Sequence, residues 1–236
     1  MLEALKEEVY LANMQLVEKK LIINTWGNVS GIDREKGLFV IKPSGVEYSE
    51  LKPSDLPVVD LDGKVVEGSL RPSSDTPTHL CLYREFPEIG GITHTHSLYA
   101  TSFAQSGHGI EAYGTTHADY FPAGVPITRK LTDREIEGEY EYNTGIVIAE
   151  AIRKYGADRM RAALVNSHGP FTWGKNAAES VDVSYVLEVI AQMAFNTELL
   201  VSANAFRQTD KIQQKLLWRH FDRKHGPNAY YGQKKK

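Results

Sequence analysis

Gly91-Ile92-Thr93-His94-Thr95-His96, at positions 91–96, is a short apolar run that opens on glycine and closes on two histidines one residue apart. Its length and its Ile and Thr content read as a strand. A second apolar run at 162–167, stopped by Gly169-Pro170, reads the same way. Toward the N-terminus, Gly37-Leu38-Phe39-Val40-Ile41-Lys42 reads as a strand ended by Pro43-Ser44-Gly45. Residues 56–61 and 64–66 read as a hairpin turning on Asp62-Gly63. The polar stretch 24–31 reads as a turn leading into a strand. Helical stripes occupy 1–20, 143–155, 176–205 and 210–221. Another helix begins at Ser73-Ser74-Asp75-Thr76-Pro77, with capping residues and a first-turn proline, and runs to about Phe86. Strands and helices intermingle without regular β-α-β alternation. That pattern predicts an α/β chain with an antiparallel or mixed sheet flanked by helices, not a doubly wound parallel one.

The 236 residues fit one domain spanning 1–236, with no repeat or low-complexity linker. A chain of this size buries roughly 70% of its unfolded surface and needs no staples. Its one cysteine, Cys81, excludes an internal disulfide and points to a reducing compartment. The net charge of −3, with acids and bases well mixed, argues against a nucleic-acid or membrane-surface role. The one basic cluster, Lys234-Lys235-Lys236, is given no function. No run approaches the ~20 apolar residues of a membrane span, and the charged N-terminus lacks a signal-peptide layout. The expectation is a soluble, cytoplasmic protein.

On a strand, residues i and i+2 share a face, so His94 and His96 aim two imidazoles at one point. Taken alone, a His-x-His pair is more often structural than metal-binding. His168, at the end of the other apolar strand, offers a third nitrogen; His79, His108, His117, His220 and His225 are other choices. Three neutral imidazoles with an open position form a catalytic zinc arrangement, with manganese or cobalt as alternatives.

Gly27-Asn28, Ser44-Gly45 after Lys42, and Ser73-Ser74 at a helix start are Gly- and Ser-rich element ends suited to phosphate. Each alone reads as an ordinary turn or cap. None forms a Walker loop or a dinucleotide fingerprint, so a nucleotide is not indicated.

Together, several long segments resemble the class II aldolase/epimerase family over nearly the whole chain. They are Thr25-Trp26-Gly27-Asn28-Val29-Ser30, Ile41-Lys42-Pro43-Ser44-Gly45-Val46, the run from Arg71 to His79, and Gly90 to Ser97. Gly114 to Phe121, Ser167 to Phe171 and Arg223 to Gln233 extend the match in the same order. The resemblance implies a three-layer α/β/α fold with a central, largely antiparallel sheet. It implies zinc held by His94, His96 and His168, with Asp75 at the metal. It also implies sugar-phosphate contacts on Gly27, Asn28, Lys42, Ser44, Gly45, Ser73 and Ser74, an acid/base pair at Asp119 and Tyr231, and further site positions at His220 and Arg223. A homotetramer follows from the same source, with active sites at subunit interfaces and a C-terminal tail, 222–236, reaching a neighbour's site.

The activity so implied interconverts L-ribulose 5-phosphate and D-xylulose 5-phosphate, a step shared by L-arabinose catabolism and L-ascorbate pathways. Carbon 4 is not next to the C2 carbonyl and carries no acidic proton, so simple deprotonation cannot invert it. Retro-aldol cleavage of C3–C4, rotation of glycolaldehyde phosphate and re-addition can. The nearest rival is an aldolase of the same family acting on a ketose 1-phosphate such as L-fuculose 1-phosphate. The family aldolases resemble this chain with glutamate in place of Asp75, so the shorter side chain favours epimerisation. A non-catalytic zinc-binding module is the remote rival; structural zinc sites are usually cysteine-rich, and one cysteine does not supply that.

Overall fold

The computed structural model describes residues 2–202, 212–227, 229, 231 and 232. Seven strands, β1 (Asn28–Asp33), β2 (Leu38–Ile41), β3 (Val58–Asp60), β4 (Val65–Glu67), β5 (Gly91–His94), β6 (Ala162–Leu164) and β7 (Pro170–Gly174), form one sheet. Their order is β4-β3-β2-β1-β5-β7-β6, and all neighbours pair antiparallel. The histidine-bearing strand is therefore central, as its apolar run requires.

Alternate residues of the inner strands sort onto two faces. Val29, Val40 and Val58 join Val9, Ala12 and Leu16 of α1 (Glu3–Glu18) and Val181 of α7 (Ala177–Ser202) in one apolar cluster. Ile32, Phe39, Ile92 and Trp173 join a larger cluster with Leu82 and Tyr83 of α2 (Thr76–Glu85) and Ile148 and Ile152 of α6 (Tyr140–Ile152). The result is the three-layer α/β/α arrangement with an antiparallel sheet. Thr93 and Thr172, on neighbouring strands, both bond Ser180 of α7, through its hydroxyl at 2.7 Å and its carbonyl at 3.0 Å respectively. These bonds satisfy polar groups where the helix crosses the sheet.

The expected helices at 1–20, 73–86 and 143–155 are present, and 176–205 is helical through Ser202, with 203–205 outside the described residues. The last helix, α8 (Gln214–His225), extends four residues beyond 221. Three departures matter. The strand at 91–96 ends at His94, so His96 lies past the pleat. Gly169-Pro170 ends one strand but also starts another: Val165 N–H donates to Gly169 O at 2.9 Å, closing a turn in which Ser167 takes φ 62°. Proline is tolerated as the first residue of β7, so the stop signal conceals a returning strand. Three helices, α3 (Leu98–Ser106), α4 (Thr115–Ala118) and α5 (Asp133–Glu137), are not anticipated by the sequence pattern. The last two are single turns, too short for a period to register.

Candidate active site

Sheet register sets the site. Asn28 opposes His94 across β1 and β5, and His94 opposes Phe171 across β5 and β7. The His94 ring stacks on Phe171 with centroids 4.1 Å apart. Its Nδ1 donates to Pro170 O at 2.9 Å, which leaves the Nε2 lone pair facing away. His96 comes round past the strand end and brings its Nε2 to 3.2 Å from that of His94. His168, in the β6–β7 turn, places its ring 4.8 Å from His94 and 5.1 Å from His96. The ligating atoms of all three lie within 4.8 Å of one another.

His96 and His168 are kept neutral, the form that binds a metal. Burial, then the neighbouring His94 and His96, push the His168 pKa down to about 3. Burial also lowers His96, aided by His94 and opposed by Asp75. Three converging imidazole nitrogens, one with its tautomer fixed by a backbone carbonyl, fit a divalent cation.

Asp75 stands at the N-cap of α2, yet its carboxylate makes no capping bond. It turns instead toward Asn28, whose Nδ2 donates to Asp75 Oδ2 at 2.7 Å and to Ser73 Oγ at 3.1 Å. Burial raises the Asp75 pKa, but His94, His79 and the Asn28 bond outweigh it and the net shift is downward. Among the described residues the convergent set holds the three histidines, and Asp75, expected at the metal, lines the same cavity. Its carboxylate is drawn to Asn28 beside them.

One cavity of about 380 Å³ collects the triad, Asp75 and every expected sugar-phosphate position at 27–28, 42, 44–45 and 73–74. Lys42 is 1% exposed, its Nζ donating to Val46 O at 2.8 Å and lying 4.6 Å from the Tyr48 ring centroid. Burial brings its pKa down to about 8, with Glu47 opposing. Backbone amides, the serine hydroxyls before α2 and Lys42 at the end of β2 are the donor set that phosphate takes.

The other four expected residues gather elsewhere. Asp119 accepts from His220 Nδ1 at 3.1 Å and from Arg223 Nη2 at 3.0 Å, and pairs with Lys224 Nζ at 2.9 Å. Burial raises its pKa, but Arg223, Lys224 and His220 bring it below the ordinary carboxylate value. Tyr231, 63% exposed, donates its backbone N–H to Arg223 O at 3.0 Å, and the Arg223 guanidinium lies 5.0 Å from its ring centroid. None of these four side chains lines the triad cavity of the same chain.

Residues 7–195 match the family model described as Class II Aldolase and Adducin N-terminal domain. The chain belongs to that family. It is 51% identical over 233 residues to L-ribulose-5-phosphate 4-epimerase UlaF of Salmonella paratyphi C (strain RKS4594), covering 99% of this chain and 100% of the relative. The protein of the same name from Salmonella choleraesuis (strain SC-B67) matches to the same extent. A solved L-fuculose 1-phosphate aldolase aligns with TM-score 0.73 at 27% identity, covering 93% of this chain and 96% of that one. The L-fuculose-1-phosphate aldolase of Thermus thermophilus gives 0.68 at 26% identity, covering 84% of this chain and 96% of that one.

Within this class II aldolase cavity stand residues that sequence reasoning passes over. Tyr140 and Glu141, at the start of α6, line it, and Tyr140 Oη lies 3.4 Å from His168 Nδ1. The helical pattern reads from 143, so both fall just outside it. Asn13, buried on α1, bonds both backbone groups of Val29, accepting at 3.0 Å and donating at 3.3 Å. It thereby fixes the strand beside Asn28; a polar residue on an otherwise apolar helical stripe is the available signal.

Proposed function

We propose that this chain is an L-ribulose-5-phosphate 4-epimerase, interconverting L-ribulose 5-phosphate and D-xylulose 5-phosphate by a metal-dependent retro-aldol step. The observation that supports it best is the single cavity joining a three-imidazole centre to a phosphate-type cradle. Identity of 51% over nearly the whole chain to relatives named for that activity supports this reaction over the others of the family.

His94, His96 and His168 would hold the cation, with Asp75 beside it. A bound divalent cation, zinc in this reading with manganese or cobalt as alternatives, would supply Lewis-acid stabilisation of the negative charge that develops as C3–C4 breaks. Asn28 keeps the Asp75 carboxylate oriented and ionised. Gly27, Ser44, Gly45, Ser73, Ser74 and Lys42 bind the phosphate and hold the two-carbon aldehyde while it turns. One group must take the C4 hydroxyl proton during cleavage, and another must return a proton to the aldehyde oxygen from the opposite side. Asp119 and Tyr231 are assigned these two duties, with His220 and Arg223 holding them in place.

In one chain that pair lies away from the triad cavity. The reading therefore includes a homotetramer in which the Asp119–Tyr231 group of one subunit completes the cavity of the next. A cytoplasmic location belongs to the same proposal. The test is formation of D-xylulose 5-phosphate from L-ribulose 5-phosphate; cleavage of L-fuculose 1-phosphate without epimerisation would make the chain an aldolase instead.

A further inference from the structure

Trp26 is unlike the other tryptophans of the chain. Trp173 is 1% exposed and donates its indole N–H to Ala157 O at 2.9 Å, as a core tryptophan does. Trp218 is 44% exposed and lines a different cavity, against α8. Trp26 is 52% exposed and lines the triad cavity, its ring centroid 5.9 Å from that of His96.

Its position is built. Ile23 and Trp26 form an isolated antiparallel bridge, with the Trp26 N–H donating to Ile23 O at 2.9 Å, so the turn folds tightly just before the cavity wall. Gly27 follows at φ 98°, and a Cβ there would stand 3.0 Å from His94 O. Tyr48 Oη donates to Gly27 O at 2.9 Å from the other side. The backbone leading out of Trp26 is thus held by β5 and Tyr48, which fixes a half-exposed indole at the cavity wall beside His96.

A rigid apolar plate at the mouth of a polar cavity has a use in this chemistry. After C3–C4 cleavage the aldehyde fragment is tied only through its phosphate, and it must rotate about that tether without leaving. Serines, a lysine and glycines grip the phosphate but offer the aldehyde carbon nothing. We propose that Trp26 is the retaining wall for glycolaldehyde phosphate, and so a residue that sets the ratio of epimerisation to net cleavage. This rests on the epimerase reading above. When retention fails, C3–C4 has broken with its electron pair on the three-carbon enediolate and the C4 hydroxyl proton on the enzyme base. The enediolate then takes a proton at C3 and leaves as dihydroxyacetone, while glycolaldehyde phosphate leaves as the free aldehyde; no oxidant or reductant is needed.

The experiment compares wild type, Trp26→Ala and Trp26→Phe as metal-loaded full-length proteins. With L-ribulose 5-phosphate, dihydroxyacetone and D-xylulose 5-phosphate are measured in the same reaction. The expected result is that Trp26→Ala raises dihydroxyacetone released per epimerisation by about tenfold, the equivalent of one lost aromatic contact. Trp26→Phe, which keeps a ring, stays near wild type. An unchanged ratio in Trp26→Ala overturns the proposal, and so does an unchanged ratio with altered oligomer mass, which would make Trp26 a subunit contact. A second readout needs no turnover: glycolaldehyde phosphate should change the tryptophan fluorescence of wild type and not that of Trp26→Phe. If wild type fails to epimerise, the functional reading falls, and the fluorescence difference still decides whether Trp26 faces the ligand. Identical responses in the two proteins overturn that placement.

Discussion

Asn28 Nδ2 lies 2.7 Å from Asp75 Oδ2, joining the first residue of β1 to the N-cap of α2 across the floor of the cavity. The same amide reaches Ser73 Oγ, so one side chain organises both the carboxylate beside the imidazoles and a hydroxyl of the phosphate cradle. Asn28→Ala should lower kcat/KM about 10- to 100-fold, the cost of leaving a buried carboxylate without its donor. Steady-state kinetics with the metal content measured alongside checks this; an unchanged kcat/KM would mean that Asp75 needs no such partner.

His79 is fully buried behind Asp75, with its Nδ1 2.7 Å from Ser30 Oγ. Burial pushes its pKa down to about 3, with Asp75 opposing. The folded pKa is below the unfolded value, so the unfolded chain binds the extra proton between about pH 6.5 and 3. Stability from keeping His79 neutral is present above pH 6.5 and is lost as pH falls through that window. Chelator-treated wild type should therefore lose stability on going from pH 7 to 5 more steeply than His79→Gln, by up to about 1.4 kcal/mol per pH unit. Urea unfolding at both pH values reads the difference, and parallel slopes would place the acid sensitivity elsewhere.

Gly145 of α6 faces α2 so closely that a Cβ would stand 2.5 Å from Cys81 Cβ and 3.1 Å from Thr78 O. Thr78 Oγ1 donates to Glu141 O at 2.6 Å along the same seam, tying the start of α6 to the helix that carries Asp75. Gly145→Ala should destabilise the fold by about 1–3 kcal/mol through overpacking, and should shift kinetics as well because Tyr140 and Asp75 move apart. Thermal unfolding checks the first effect; a variant as stable as wild type would show that the helices slide without cost.

Much of this is legible in the sequence. The apolar runs at 37–42 and 91–96 hold the strands β2 and β5 because their side chains have core on both faces, and the Asp62-Gly63 turn marks its hairpin. Phosphate-type segments separated by tens of residues meet because β1, β2 and the start of α2 end at one rim. Tertiary effects hide the rest. His96 reaches His94 by a bend past the strand, not by the pleat that suggests the pair. Asp75 is a cap by pattern, yet its carboxylate serves Asn28. His168 is marked by its neighbours Gly169-Pro170, whereas the strand those residues begin is not. The exposure of Trp26 has no local signature at all, since a tryptophan in a turn reads the same whether it faces a core or a cavity.

Tyr231 shares a cluster with Asp119, His220 and Arg223 rather than with the imidazoles. Tyr231→Phe should keep fold and metal while slowing epimerisation by about 100-fold or more, the usual range for a lost acid/base group. Mixing it with His96→Ala should restore activity if one subunit's Tyr231 serves its neighbour's cavity. Two variants that stay inactive on reassembly would place both groups in the site of a single chain.

The most direct measurement is a coupled assay on L-ribulose 5-phosphate, following D-xylulose 5-phosphate before chelation, after chelation and after zinc is restored. The account predicts product, loss of product, and recovery in that order. Equal rates with and without chelator, at full removal of metal, would contradict the role given to His94, His96 and His168; no product under any condition, with L-fuculose 1-phosphate cleaved instead, would contradict the epimerase reading.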